Sequence, residues 1–385
     1  MGGLTVDTPV LLSVALASAR IIPGDTLLLR GGTYTGDYKC SLNGTEANPI
    51  TIKPYNGEHV IIDGSLELRG NYLKVYDIDF TDSSSNRTRP NADETLGVYI
   101  IGVGCGLYGC TVSDMHASGI TFMGSGAGEV CENIVLNNGV LAADGNGHGH
   151  GLYGHNNLGG ARLIARNSFF GGLGNYNLQL YGTGNAIRDF TVEDNVFHGN
   201  PVHTGGEKGL FNCTWHGNIQ HGSYSQHNRY CYDVQSDGMT ITDNVYIDLS
   251  SWTIDQDSLP ITNLTESGNV VYGGKPDSRE GYTVTEKPAT KVWVTPFSKS
   301  ERWVGMLVIY NRDNAETVVC ELTGIPAGSY KLRNTQNPDE TCDVVWDGET
   351  PIDVPTDWHT RYIISTGWLY EPDWATFGAL MIEKT

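Results

Sequence analysis

Apolar positions in the middle of the chain come in short runs bounded by glycine, and two kinds of run alternate. One kind opens on a polar residue, most often asparagine, followed within three positions by aliphatic or aromatic residues. It reads NNGVLAADG at Asn138, RNSFFGG at Asn167, DNVFHGN at Asn195, HNRYCYD at Asn228, DNVYIDL at Asn244 and GNVVYGG at Asn269. The spacings are 25 to 33 residues with one of 16, which suits one coil of a β-solenoid per unit and one irregular turn. Asparagine suits a repeated corner because its amide satisfies backbone groups at a tight bend, and it tolerates left-handed angles. The other kind of run is a strand with one buried face: LGVYIIG, SGITFMG, HGLYGH, YNLQLYG and KGLFNC.

Stacking these strands predicts an inward row of Val98, Ile120, Leu152, Leu178 and Leu210. Beside it runs an outward row of Tyr99, Thr121, Tyr153, Gln179 and Phe211, with Ile101, Met123, His155, Tyr181 and Cys213 two positions on. Helical periodicity is weak, and Thr8 to Arg20 is the one candidate for a capping helix. Repetition ends near Tyr272, and the remaining runs alternate with turn residues as in an antiparallel β domain. The reading is all-β: an N-terminal cap at 1–20, a solenoid at 21–275, a linker at 276–287 and a small antiparallel β-sandwich at 288–385.

Composition adds two constraints. Of 385 residues 49 are glycine, and the net charge of −20 argues against nucleic acid and anionic membranes as partners. No apolar run is long enough for a membrane span, and the first 20 residues lack the charged start of a signal peptide. The acidic excess is uneven: between Leu141 and Arg229 five basic residues balance five acidic ones, and eight of the 11 histidines fall there. The eight cysteines show no zinc-binding spacing. Cys320 and Cys342 flank an expected hairpin and could bridge, whereas the others read as small apolar core residues.

These runs, with PGDTLLLRGGTYTG at Pro23 to Gly36, GTEANPITIKPYNGEHVIIDG at Gly44 to Gly64 and LRGNYLKVYDIDF at Leu68 to Phe80, resemble the right-handed parallel β-helix proteins of the pectin-lyase-like superfamily. The N-terminal coils resemble the alginate lyase and chondroitinase B type; the middle is similar to a group of uncharacterised β-helix repeat proteins. The resemblance implies a single-stranded right-handed parallel β-helix, an extracellular, cell-surface or virion-associated setting, and a polysaccharide, often uronate-containing, in a groove over one sheet. The alginate lyase type implies a Lys/Arg pair and a calcium ion held by Asn and Glu. Only Glu207 and Lys208 in GGEKGLFNC suggest that segment, and no partner for Lys208 follows in the order of that family.

His148, His150 and His155 in GNGHGHGLYGHN are the densest chemical constellation, with Tyr153 between them. One coil on come Asn177, Gln179 and Tyr181, and one further His203, Glu207 and Lys208. Removing a proton beside a uronate carboxylate needs a base titrating near the working pH, a group to neutralise the carboxylate and a donor for the leaving oxygen. His150 or His155 suits the base and Tyr153 or Tyr181 the donor, with Lys208 beside them in the catalytic set. His148, Asn177, Gln179, His203 and Glu207 would bind the sugar. Three imidazoles could instead hold a metal, with Asp144, His148 and His150 as candidates, or oxygen donors a calcium ion; no metal is assigned. Hydrolysis would need two carboxylates about 5 to 10 Å apart, and Asp189 to Asp194 fall on a different sheet from the histidines. The expected activity is cleavage of a polysaccharide by β-elimination. A glycoside hydrolase, or a non-catalytic glycan-binding β-helix such as a phage tail-spike or adhesin, is the alternative.

Overall fold

The computed structural model describes residues 10–83, 97–124, 126–141, 147–172, 176–255, 257–273, 282–285, 288, 290–311, 317–335, 340–355 and 376–385. Three parallel sheets of 10, 11 and 9 strands run the length of the first three quarters of the chain, and each coil up to Ile254 contributes a strand to each sheet in turn. The first coil is Thr26–Leu29, Gly32–Thr35 and Tyr38–Cys40; the second is Ile50–Pro54, Val60–Asp63 and Leu66–Leu68. Side chains alternate in and out, so that the inner row of the first sheet, Leu27, Ile52, Val75, Leu107, Val130 and Ile164, is in register and buried. Coils stack about 4.8 Å apart, each covering the apolar face of the one before. The N-terminal helix is a single turn, Leu12–Ala15, shorter than the pattern of Thr8 to Arg20 suggested; it buries Leu12 and Leu16 on the first coil.

Between the first and second sheets one corner repeats. Glu132, Arg166, Asp194, Gly217, Asp243 and Gly268 all have φ between 53° and 67°, and each is followed by a buried asparagine: Asn133, Asn167, Asn195, Asn218, Asn244 and Asn269. The left-handed residue reverses the strand, and the next side chain turns inward. Each amide donates to the carboxamide oxygen of the asparagine one coil on, at 2.9 to 3.0 Å, and the Asn269 amide donates to the Ile241 carbonyl. The structure thus places Asn133 and Asn218 in the ladder where the sequence pattern proposed Asn138 and Asn228. With Asn218 in place the spacing of 16 disappears. Asn138 caps a different corner, accepting from Met115 N–H and donating to the Val112 carbonyl.

The register of the third sheet also differs at one coil. Val98, Ile120, Leu152 and Leu178 stack as expected, but the next partner is Val202, and Leu210 pairs with Ile187 in a separate two-stranded sheet. Phe211 and Cys213 leave the outward rows with it, and His203 takes the place beside Gln179. Within the expected linker, Tyr282–Thr285 extends the second sheet beside Asn269–Tyr272.

The C-terminal part is antiparallel: Thr290–Pro296, Trp303–Asn311, Thr376–Lys384, Gly328–Asn334 and Thr341–Trp346 form one sheet in that spatial order, and Thr317–Cys320 pairs with Ile352–Pro355. Leu307, Ile309, Leu332 and Leu380 pack against Val318 and Val354 between the two sheets. The opposite face, with Met306, Val308, Tyr310 and Phe377, lies on Ile134, Phe170, Val196, Ile219 and Ile247 of the second solenoid sheet. Glu132, fully buried, fastens the joint by accepting the backbone N–H groups of Ser298, Lys299 and Ser300. Trp303 Nε1 donates to the Gly109 carbonyl at 3.0 Å. Cys320 and Cys342 are both free thiols, so the expected bridge is absent; the six solenoid cysteines are buried and free, as small core residues.

Replacing Asn195 by alanine removes its donations to Ile164 and Asn218 and its acceptance from Asn167. The expected cost is about 2–4 kcal/mol for the buried groups left unpaired, read as a lower urea midpoint. An unchanged midpoint would take the ladder out of the stability of the fold.

Candidate functional site

The second sheet is covered by the C-terminal part, and of the two remaining outer faces the third sheet carries the histidines and tyrosines singled out in the sequence. Register sets Thr121, Tyr153, Gln179, His203 and Gln226 side by side on successive coils. The His150 ring lies 5.5 Å from Tyr153 and 5.4 Å from Tyr176, and Tyr176 lies 5.2 Å from His203. Tyr181 is 5.7 Å and Tyr230 6.0 Å from His203. A continuous aromatic and imidazole strip results, of the kind on which sugar rings stack.

His155 ends the strip on the side of the strand termini. It follows Gly154, and Tyr181 follows the paired Leu180, so the two are lateral neighbours. Tyr153 meets the His155 ring edge-on at 6.5 Å. His155 is partly exposed, and burial together with the nearby Arg162 charge holds its imidazole below the usual range, hence neutral. His203 is the opposite case: 1% exposed, it shares a hydrogen bond of 3.0 Å with Gln179 through Nδ1, and burial pulls it down to about 4. Its place is under the face.

A bulge shapes the other end. His203 pairs with Gln226 but Gly205 pairs with Arg229, so Tyr224–Arg229 carries one extra residue there. A side chain at Gly205 would meet the Arg229 carbonyl at 1.9 Å, so only glycine permits this approach. Ahead of the bulge, regular alternation turns His227 into the core, where Thr204 Oγ1 and Ser225 Oγ contact its ring nitrogens at 3.0 and 3.1 Å. The bulge leaves the Arg229 guanidinium bonded to Gln226 and over the Tyr230 ring.

The structure gathers His150, Tyr153, His155, Gln179 and Tyr181 on one face, with His203 beneath. Asn177 is not on that face: it is buried, and its amide donates to the His198 and Asn200 carbonyls as a corner group. Lys208 stands in the turn after the strand, paired at 3.0 Å with Asp233, and Glu207 accepts from Gly184 N–H, so neither joins the imidazoles. The single carboxylate of that turn, beside an ammonium, does not make the oxygen cage calcium requires. Asp144 lies outside the described residues, and His148 is described by its backbone, in an antiparallel pair with Val140. Among the described residues no three His, Cys, Asp or Glu side chains gather as a metal site. Tyr176, Gln226, Arg229 and Tyr230 were missed from sequence; the periodic aromatic at the head of YNLQLYG was the available signal for Tyr176.

Fold and face together define a parallel β-helix with a lateral aromatic and imidazole strip. The chondroitinase B family model matches residues 12–113, the N-terminal coils, ahead of the strip. A pectate lyase, PEL9 of Emericella nidulans, is 44% identical over 68 residues, 17% of this chain; the chain spans only 16% of that relative's length. Among solved structures, an alginate lyase from Paenibacillus sp. str. FPU-7 aligns with a TM-score of 0.50 and 16% identity over 72% of this chain and 95% of that one. The pectate lyase Pel9A aligns with a TM-score of 0.46 and 14% identity over 73% of each chain.

Buried histidines make stability depend on acid. His203 and His227 are pulled down to about 4 and about 3 by burial, and His198 well below its ordinary value. Unfolded imidazoles titrate near 6.5, so below that pH the unfolded chain binds more protons and stability falls as pH drops toward the folded values. Thermal midpoints should be flat above about pH 7 and decline between roughly 6.5 and 4, by on the order of 1.4 kcal/mol per histidine per pH unit. A midpoint rising over that window would show these rings to be charged in the fold.

Proposed function

We propose that the protein is a polysaccharide lyase that cleaves a uronate-containing polymer laid across the third sheet. The observation that carries this reading is a neutral, partly exposed imidazole, His155, with the Tyr153 ring edge-on to it and Tyr181 on the next coil of the same β-helix face. The lyase names among the similar proteins support the same class of reaction. His155 takes the C5 proton next to the uronate carboxylate, and that electron pair forms the C4–C5 double bond. The C4–O bond breaks as the Tyr181 hydroxyl protonates the leaving oxygen. Tyr153 and Tyr176 stack the flanking sugars, and Gln179 and Arg229 donate to their oxygens. Such a polymer places the protein outside the cell; among the described residues no helix is long and apolar enough to cross a membrane.

The test is ultraviolet absorbance of the unsaturated product from polygalacturonate, alginate and chondroitin sulfate. His155→Ala should lower kcat about 10²- to 10⁴-fold with unchanged circular dichroism. Since the base must be neutral, the acid limb of kcat/KM should lie below the ordinary imidazole midpoint of about 6.5. Reducing ends without unsaturation would transfer the reading to hydrolysis; binding without any product would leave a glycan-binding β-helix.

A further inference from the structure

Arg162 breaks the pattern of the solenoid interior. It opens the strand Arg162–Ala165 with its side chain on the inner side, in line with Ile164, and is 1% exposed. Its coil neighbours in that row are Gly128 and Phe190. The guanidinium lies inside the corner between the third and first sheets, beside two rings, 4.2 Å from Phe122 and 5.8 Å from Phe190. It ends on backbone carbonyls where the third-sheet strands turn: Nη1 donates to Phe122 at 2.8 Å and to His155 at 3.4 Å, Nη2 to Met123 at 3.0 Å and Nε to Gly126 at 3.1 Å. Among the described residues no carboxylate pairs with it. Burial lowers its pKa to about 10, so it remains charged at neutral pH.

An unpaired charge in a β-helix interior is destabilising even when hydrogen-bonded, and a leucine would fill the row without that cost. The charge lies directly under the strand ends that carry Met123 and His155, where the proposed reaction takes place. The groups facing His155 are Tyr153 from its own strand, Tyr181 from the next coil and Arg162 from the first sheet. Two carboxylates of the following coils are engaged elsewhere, Asp189 with Gly160 N–H and Asn212, Glu207 with Gly184 N–H.

We propose that Arg162 is a specificity-determining residue: a cation beneath the floor of the third-sheet face that favours a ligand group carrying negative charge at His155. It never touches the ligand; it acts through the low-dielectric layer of strand ends, where a charge is little screened. The same field opposes a proton on His155, so that the imidazole stays available as a base while the anion is drawn in. This rests on the lyase reading for the identity of the site, but the charge preference is measured by binding and by titration, without turnover.

Binding of polygalacturonate is compared with that of its highly methyl-esterified form, by calorimetry, in wild type, Arg162→Met and Arg162→Lys. The expected result is a preference for the charged polymer that falls roughly three- to tenfold in the methionine variant and is largely kept by lysine, with the His155 ring titrating at higher pH only in the methionine variant. A folded methionine variant with unchanged preference and unchanged His155 titration overturns the proposal. Should that variant not fold, wild type decides through salt: a preference set by a buried cation survives high ionic strength, whereas one set by exposed cations such as Lys208 vanishes. Its disappearance in salt, or its absence from wild type, overturns the proposal too. Failure of the lyase reading would show instead as no unsaturated product while the charge preference stands.

Discussion

A residue with left-handed backbone angles followed by a buried asparagine turns the chain from the first sheet to the second in six successive coils. Each asparagine both holds its own corner and offers its oxygen to the coil before, so one coil's bend is completed by another's side chain. This fixes how far each coil advances and which residues face inward. A slip of one residue would break the ladder and invert the faces of the following strands at once.

On the third sheet the fixed register becomes chemistry. Residues some 25 positions apart become lateral neighbours, which is how Tyr153 comes beside Gln179 and Gln179 meets His203. The departures from regular stacking cluster beside the same face: the bulge at His203 to Gly205 and the charged Arg162 in an otherwise apolar row. Each costs stability, through a disrupted ladder or a desolvated charge, and each shapes or polarises the strip.

Much of the fold was legible because the solenoid writes one pattern many times. A following aliphatic or aromatic run marks Asn167, Asn195, Asn244 and Asn269. Asn218 was passed over because HGNIQHG has a single aliphatic residue, while HNRYCYD at Asn228 imitates the unit in a bulged strand. The same bulged coil hid Arg229, whose position depends on an extra residue that no periodicity announces. Leu210 was placed on the third sheet because KGLFNC looks like its neighbours; the true strand, VHTG, is half polar since His203 and Thr204 are buried by bonding to Gln179 and His227. Arg162 could not be inferred, because an inward arginine is what alternation rules out. The face was legible through His150, Tyr153, His155, Gln179 and Tyr181, all within regular repeats.

The docking of the C-terminal sheet bears on how the chain is built as a whole. Ile134, Phe170, Val196, Ile219 and Ile247 point outward from the second sheet, and Phe377 closes over His198 and His221 there. A solenoid cut after Tyr272 would present this as a bare hydrophobic wall, with the Glu132 carboxylate stripped of its backbone donors. The C-terminal part is therefore the solenoid's outer wall on that side, and each part buries apolar surface of the other. The place where sequence repetition ends is thus crossed by an apolar layer that belongs to both parts.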